Sequence, residues 1–364
     1  MLFAVYGDPD DPRTQSTVAK HLGDALAARP ELLLTRVDTS LSLPSRLVAA
    51  AANVRLSRER WRAAMHGSAW TIRSRTRPLR RALAAPGGQP VEAVIQLRAA
   101  YEPIELPYYP YLDNTADLAR RHWPPSAPWG DRRLARIREL ERRCFGGAAH
   151  VFVTGRLVAE SLTATYGVAP ERVSIVGAGS RTSRVPEAAD RPREPWILFV
   201  GYDFHRKGGD RLVRAFREVR RRHPEARLKI AGPDVRIDEP GVDVLGRVTD
   251  RAQLEALYSA ARVFALPVRY EPYGVAFVEA MAHGLPCVGT DVAAVAEIIR
   301  DGETGLVVPA GDEGRLTEAL ATLVADPALA RRLGAAGGRR VEAELNWEHV
   351  ARRMAAVIAQ TSDA

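Results

Sequence analysis

The chain has 364 residues, too many for one ordinary core, so two domains are expected. An apolar share of 46% and a charged share of 26% exclude the disordered and fibrous classes. The formal net charge of +8 comes almost wholly from Arg, since Lys occurs only at Lys20, Lys207 and Lys229, and it favours anionic partners such as nucleotides and phosphates.

The start, MLFAVYGDPDD, lacks the basic opening and long apolar core of a secretory leader, and LFAVYG reads as a buried strand. A helix is expected over about 15–28, with Thr14 or Ser16 as N-cap. Strands follow at 31–38, 91–97, 150–155 and 172–177, with helical patterns at 131–145 and 156–166 between them. The segment 53–83 carries Arg at 55, 58, 60, 62, 73, 75, 77, 80 and 81, interleaved with Trp61 and Trp70. Such a pattern serves either as a solvated helical surface or as a surface for acidic lipid or a phosphorylated acceptor. No nucleic-acid motif accompanies it. Residues 180–195 are polar and Pro-bearing and read as a linker. The alternation then restarts, with strands at WILFVG, ARLKIAG, VDVLG, RVFALP, PCVGTD and TGLVVP. Helices are expected at 208–222, 251–261, 313–325, 327–344 and 347–360. Strand–helix alternation implies parallel sheets. The expected fold is α/β, with two doubly wound domains that share a cleft at their strand carboxyl ends.

Cys144 and Cys287 stand far apart and give no disulfide framework and no metal-ligand spacing, which suits a reducing cytosol. No run of about 18 apolar residues is present, so no membrane span is expected. The protein is expected to be cytoplasmic, with peripheral contact to an acidic membrane through 53–83.

The most informative stretch is YEPYGVAFVEAMAHGLPCVGTD, Tyr270 to Asp291. Pro272 can open a helix and Gly284 can stop one. The helix between them starts at the carboxyl end of a strand, where its first N–H groups form an anion site. Gly274 removes a side chain where a ligand must come close. Glu271 falls in the loop and Glu279 about one and a half turns into the helix, too far along the axis to act as one carboxylate dyad. They suit two parts of one long ligand. Lys207, next to Arg206, sits near another helix start, where a cation opposes the dipole unless an anion lies between.

Taken together, EPYGVAFVEAMAHGLPCV resembles the E-x7-E signature of the family 4 retaining glycosyltransferases, which have the GT-B fold. WILFVGYDFHRKGGDRLVRAF, LKIAGPD, VLGRV and EIIRDGETGLVVPAGD extend the resemblance, and AHVFVTGRLVAESLTATYGVAPERVSIVGAGS carries it into the N-terminal half. It covers about two thirds of the chain. It implies two Rossmann-like domains: residues 1–185, with a closing helix at 347–364 packing back on them, and a nucleotide-sugar domain at 186–346. It implies that Glu271 contacts the transferred sugar and Glu279 the donor ribose, and that the amides of Tyr273, Gly274 and Val275 hold the sugar and diphosphate. Lys207 matches the family's phosphate Lys. The family's phosphate Arg falls at Tyr202 here, and Arg206 is the expected substitute. Gly232, Gly246, Arg247 and Val248 match the loops lining the base pocket. On the acceptor side the candidates are Thr14, Ser16, Thr17, Asp113 and Thr115, the last two within ELPYYPYLDNTADL, read as a loop.

The implied reaction moves a glycosyl group from a UDP- or GDP-sugar to an acceptor hydroxyl, with no metal required. No nucleophile for double displacement stands out in the sequence, and the resemblance implies attack from the leaving-group face. The DPD at 8–10 mimics a metal motif without the rest of that pattern. VGAGSRTS has Thr182 where a dinucleotide fingerprint needs Gly, and GYDFHRKGG has Arg206 where a P-loop needs Gly. The remaining rivals are a nucleotide-sugar epimerase and a non-catalytic nucleotide-sugar binder. The intact set of Lys207, Glu271, Gly274 and Glu279 argues against the latter.

Overall fold

The computed structural model describes residues 1–5, 8, 10, 18–54, 61, 69–85, 91–98, 101–127, 129–180 and 193–362. It divides into two compact units, Met1–Gly177 with Val350–Ala364, and Ala178–His349.

The first unit runs β1 (Leu2–Val5), α1 (Val18–Ala27), β2 (Thr35–Asp38), α2 (Leu43–Ala51), α3 (Ala69–Leu83), β3 (Val94–Leu97), β4 (Tyr108–Leu112), α4 (Ala116–His122), α5 (Asp131–Gly146), β5 (Val151–Val153), α6 (Arg156–Tyr166) and β6 (Val173–Ile175). Its six strands are parallel, in the order β2-β1-β3-β4-β5-β6. β1, β3, β4 and β5 are buried along their whole length, as a sheet covered on both faces requires.

Two expectations are corrected here. The strand expected over 31–38 is only Thr35–Asp38, because Pro30 opens a short 3-10 turn through Leu32 that leaves Leu33 exposed. The segment read as a loop contains β4, a central strand, despite Pro110 in its middle. Pro110 stands opposite Gln96 of β3, and on the β5 side its missing N–H falls between Tyr108, whose carbonyl accepts from Ala149 N, and the register that begins at Tyr111. Tyr108, Tyr109 and Tyr111 repay the irregularity with buried area and with hydroxyl bonds, to Cys144 O (2.7 Å), Thr361 Oγ1 (2.8 Å) and Gly177 O (2.7 Å).

The second unit runs β7 (Trp196–Val200), α7 (Gly209–Arg222), β8 (Arg227–Ala231), β9 (Val242–Gly246), α8 (Arg251–Ala260), β10 (Val263–Leu266), α9 (Val275–Ala282), β11 (Cys287–Thr290), α10 (Val295–Ile298), β12 (Gly305–Val308), α11 (Glu313–Ala325) and α12 (Pro327–Ala343). The last helix, α13 (Trp347–Ser362), starts in this unit and continues into the first from Val350. The sheet is parallel, in the order β12-β11-β10-β7-β8-β9. Strand order therefore reverses between β7 and β10, which makes the loops after those two strands the ligand-binding crevice of such a sheet.

α7 shows how sequence produces this layer. Leu212, Val213, Phe216 and Val219 recur at helical spacing and are buried, each stabilising by roughly 2 kcal/mol. The other face is Arg-rich and pairs with α11, through Arg214 to Glu313 and Arg222 to Glu318. His223 and Pro224 end the helix.

Candidate active site

The loop from Gly201 to Gly208 follows β7, and its own acid shapes it. The Asp203 carbonyl accepts from Lys207 N at 3.0 Å, and its carboxylate accepts from Arg206 N at 3.1 Å. The Lys207 side chain runs back across Gly201, where a Cβ would lie 2.1 Å from Lys207 Cδ. Gly208 has φ +77°, and a Cβ there would lie 1.9 Å from the Pro267 carbonyl oxygen. The loops after β7 and β10 thus touch backbone to backbone at a place only glycine fits. Arg269 strengthens the join by donating to both oxygens of Asp210, at 2.6 and 2.7 Å. Burial pushes the Asp210 carboxyl up, but Arg269 outweighs it and holds the pKa at about 2.

Within this frame Lys207 Nζ lies 3.1 Å and Arg206 Nη1 3.3 Å from the same oxygen, Glu271 Oε2. Arg206 also donates to the Tyr270 carbonyl at 2.9 Å and pairs with Asp203 at 3.3 Å. The Glu271 side chain is only 12% exposed. Burial alone raises its pKa, yet Lys207 and Arg206 more than offset this and keep it below the ordinary carboxylate value. The three residues expected to do the chemistry are therefore in direct contact. Asp203, which orders the loop, was not singled out in the sequence, although an acid three residues before an Arg in a Gly-bounded loop is a turn signal.

Glu271 leads directly into α9. Its N-cap is Gly274 (φ +110°), with no side-chain cap and no acid in the first turn. The opening N–H groups and the dipole of α9 thus stand beside two cations. The Tyr273 side chain turns inward, donating to Ala178 O at 2.9 Å, and burial raises its pKa to about 12. Only its backbone is on offer to a ligand. Val275, the first residue of the helix, is half-buried. Glu279 is 7% exposed on α9 and accepts from the Tyr258 hydroxyl at 3.3 Å.

The base-side candidates also come together. Gly232 N donates to Gly246 O at 2.7 Å, and a Cβ on Gly232 would lie 2.6 Å from Gly201 O, so the loops after β7, β8 and β9 are stacked on one another. Arg247 is exposed, with its guanidinium 5.7 Å from the ring of exposed Tyr202; Val248 is half-buried.

In the first unit, Asp113 is 40% exposed and pairs with Arg98 at 3.4 Å. Thr115 is buried, and its hydroxyl accepts from Leu118 N to cap α4 and bonds Ser161, a structural use that leaves it turned away from solvent. Thr14, Ser16 and Thr17 lie outside the described residues. Asp8 and Asp10 are spent locally, Asp8 on Asp10 N and Asp10 on Arg36. Among the described residues no three His, Cys, Asp or Glu side chains come together as a metal ion would need.

Of the segment 53–83, the described part includes α3, which packs on α2. Arg73, Arg77, Arg80 and Arg81 are exposed on α3 with Trp70, while Arg75 is buried. Leu43, Leu47 and Val48 of α2, with Val54 beyond it, are exposed apolar side chains. No helix among the described residues is long and apolar enough to cross a membrane.

Residues 194–326 match the family model for glycosyl transferases, group 1. The chain is 31% identical over 263 residues to alpha-maltose-1-phosphate synthase of Mycolicibacterium smegmatis, covering 62% of this chain and 68% of that protein. It is 31% identical over 210 residues to glycogen synthase of Mycobacterium tuberculosis, covering 54% of this chain but only about half, 51%, of that relative's length. Among solved structures, sucrose-phosphate synthase from Thermosynechococcus elongatus superposes with a TM-score of 0.73 at 22% identity, over 99% of this chain and 98% of that one.

Proposed function

This chain belongs to the group 1 glycosyl transferases and has their GT-B fold, and from that premise we propose that it carries a sugar from a UDP- or GDP-sugar to an acceptor hydroxyl with retention at the anomeric carbon. The observation that carries the reading is the convergence of Lys207 and Arg206 on buried Glu271, beside an uncapped helix start at the point where strand order reverses.

That arrangement fits the charge problem of the reaction. As the bond from the anomeric carbon to the diphosphate breaks, negative charge grows on the leaving oxygens. Lys207, Arg206 and the N–H groups after Gly274 are fixed donors for that charge, and one such donor is worth about 3–4 kcal/mol in the transition state. Glu271 keeps the two cations together before the donor arrives and offers its carboxylate to the sugar hydroxyls. The acceptor oxygen bonds the anomeric carbon on the face the diphosphate leaves, and its proton passes to a departing phosphate oxygen. Lys207 and Arg206 supply the positive charge, so a divalent cation is not needed. Glu279 holds the ribose, and Gly232, Gly246, Arg247 and Val248 line the base.

For the acceptor we propose a substrate at an acidic membrane surface. The exposed Arg face of α3 with Trp70, next to the exposed Leu43, Leu47 and Val48 of α2, suits contact with anionic lipid.

The test is a product assay with UDP-glucose and GDP-mannose in EDTA, with acceptor lipids and sugars supplied in turn. Transfer with retained configuration in EDTA supports the reading. Inversion, or a strict metal requirement, contradicts it. Conversion of the donor sugar alone, without an acceptor, would make the protein an epimerase.

A further inference from the structure

Glu279 reaches its position through a buried assembly that the transfer chemistry does not use. Tyr258, on α8, is 2% exposed and donates its hydroxyl to Glu279 Oε2 at 3.3 Å. Its ring stacks on His283 at 5.2 Å with the planes 12° apart, and leans on Phe264 at 5.9 Å. Burial lowers the His283 pKa, which favours its uncharged imidazole in the stack. Arg193 locks the pair from behind. One of its terminal nitrogens donates to the carbonyls of Tyr258 (3.2 Å) and Ala261 (2.9 Å), the other to those of His283 (2.6 Å) and Gly284 (3.3 Å). These carbonyls close α8 and α9, where a cation is favoured. Tyr258 therefore has little freedom, and a carboxylate held by a fixed hydroxyl is itself held in one rotamer.

We propose that Tyr258 is a positioning residue that aims Glu279 at the donor ribose, and so sets how strongly the site prefers ribonucleotides to 2′-deoxyribonucleotides. This rests on the reading that the second unit binds a nucleoside diphosphate sugar. A carboxylate accepting a ribose hydroxyl makes a charge-assisted hydrogen bond whose strength depends on direction. Without the Tyr258 hydroxyl the carboxylate samples other rotamers, and the ribose contact weakens. A ligand lacking the hydroxyl has nothing to lose.

The experiment measures Kd for UDP, GDP and ADP, each beside its 2′-deoxy counterpart, on the wild type and on Tyr258→Phe. Wild type should prefer the ribonucleotide. Tyr258→Phe should bind the ribonucleotide about tenfold more weakly and the deoxyribonucleotide unchanged, so the preference collapses. A merely structural role would weaken both by the same factor, and that result, or no change in either, overturns the proposal. So does a wild type that binds both forms equally, while the donor reading survives. A wild type that binds none of the six overturns the donor reading as well. If Tyr258→Phe does not fold, His283→Asn removes the stacked ring instead and must show the same selective loss.

Discussion

Lys207 Nζ and Glu271 Oε2 lie 3.1 Å apart, one on the loop after β7 and the other on the loop after β10. Arg206 shares that oxygen but also pairs with Asp203, so Lys207 depends on Glu271 more than Arg206 does. Removing the acid should therefore hurt the fold more than removing either base. Breaking a largely buried pair from the side that strands charge costs about 3–5 kcal/mol. Glu271→Ala should lie in that range by denaturant unfolding. Lys207→Ala should cost about 1 kcal/mol, because Arg206 still pairs with Glu271, yet it should lower kcat about a hundredfold or more. The double variant should be more stable than Glu271→Ala alone. Equal losses in the two single variants would refute the charge arrangement.

Gly208 is where the same two loops touch. Its φ of +77° and the 1.9 Å from a Cβ to Pro267 O leave an alanine no room. Gly208→Ala should lose more than about 1 kcal/mol through its backbone and also separate the loops, lowering kcat. Gly167 also has positive φ (+70°), but among the described residues nothing lies within 4 Å of a Cβ added there. Gly167→Ala should cost only the backbone strain. Similar melting temperatures for the two variants would contradict the assigned contact.

Glu141 links stability to pH. It accepts from Ala116 N at the start of α4 and from the Tyr166 hydroxyl. Burial raises its pKa from 4.5 to about 7, partly offset by those bonds. An acid whose folded value is raised binds more protons in the native state, so stability is highest below about pH 4.5 and falls as pH rises to about 7. Glu141→Gln should remove this slope and exceed the wild type in stability at pH 8 but not at pH 4.5. Parallel pH profiles would show that Glu141 titrates normally.

The α3 surface makes a salt-dependent prediction. Arg73 and Arg80 share Glu102, whereas among the described residues no ion pair is found for Arg77, which lies over Trp70 at 5.8 Å. Basic residues near an anionic bilayer are worth about 1 kcal/mol each. Arg77→Ser with Arg81→Ser should weaken binding to phosphatidylserine vesicles roughly thirtyfold at low salt. Unchanged flotation would remove the membrane from the account.

Much of the second unit was legible because glycine and proline punctuate it. Pro272, Gly274 and Gly284 bracket α9, and apolar runs ending at Gly201, Gly232 and Gly246 mark strands whose loops carry the site. The first unit hid more. Pro110 made a central strand look like a loop, since a proline inside a run argues against a central strand. Thr115 reads as a polar residue in a loop, and only the helix it caps reveals its use. Tyr258 sits among apolar residues in LEALYSAARV and looks like ordinary core, because the carboxylate it bonds lies 21 residues away in sequence.

The central claim is that a nucleoside diphosphate is held by Lys207 and the start of α9. The most direct measurement is thermal unfolding of the wild type and Lys207→Ala with UDP, GDP, ADP and dTDP in turn, all in EDTA. A ligand at about a hundred times its Kd adds roughly 2.7 kcal/mol, a rise of a few degrees in Tm. The account predicts that one of the four raises the wild-type Tm and that the rise is lost in Lys207→Ala. A full rise in Lys207→Ala, or none in the wild type with any of the four, would contradict it.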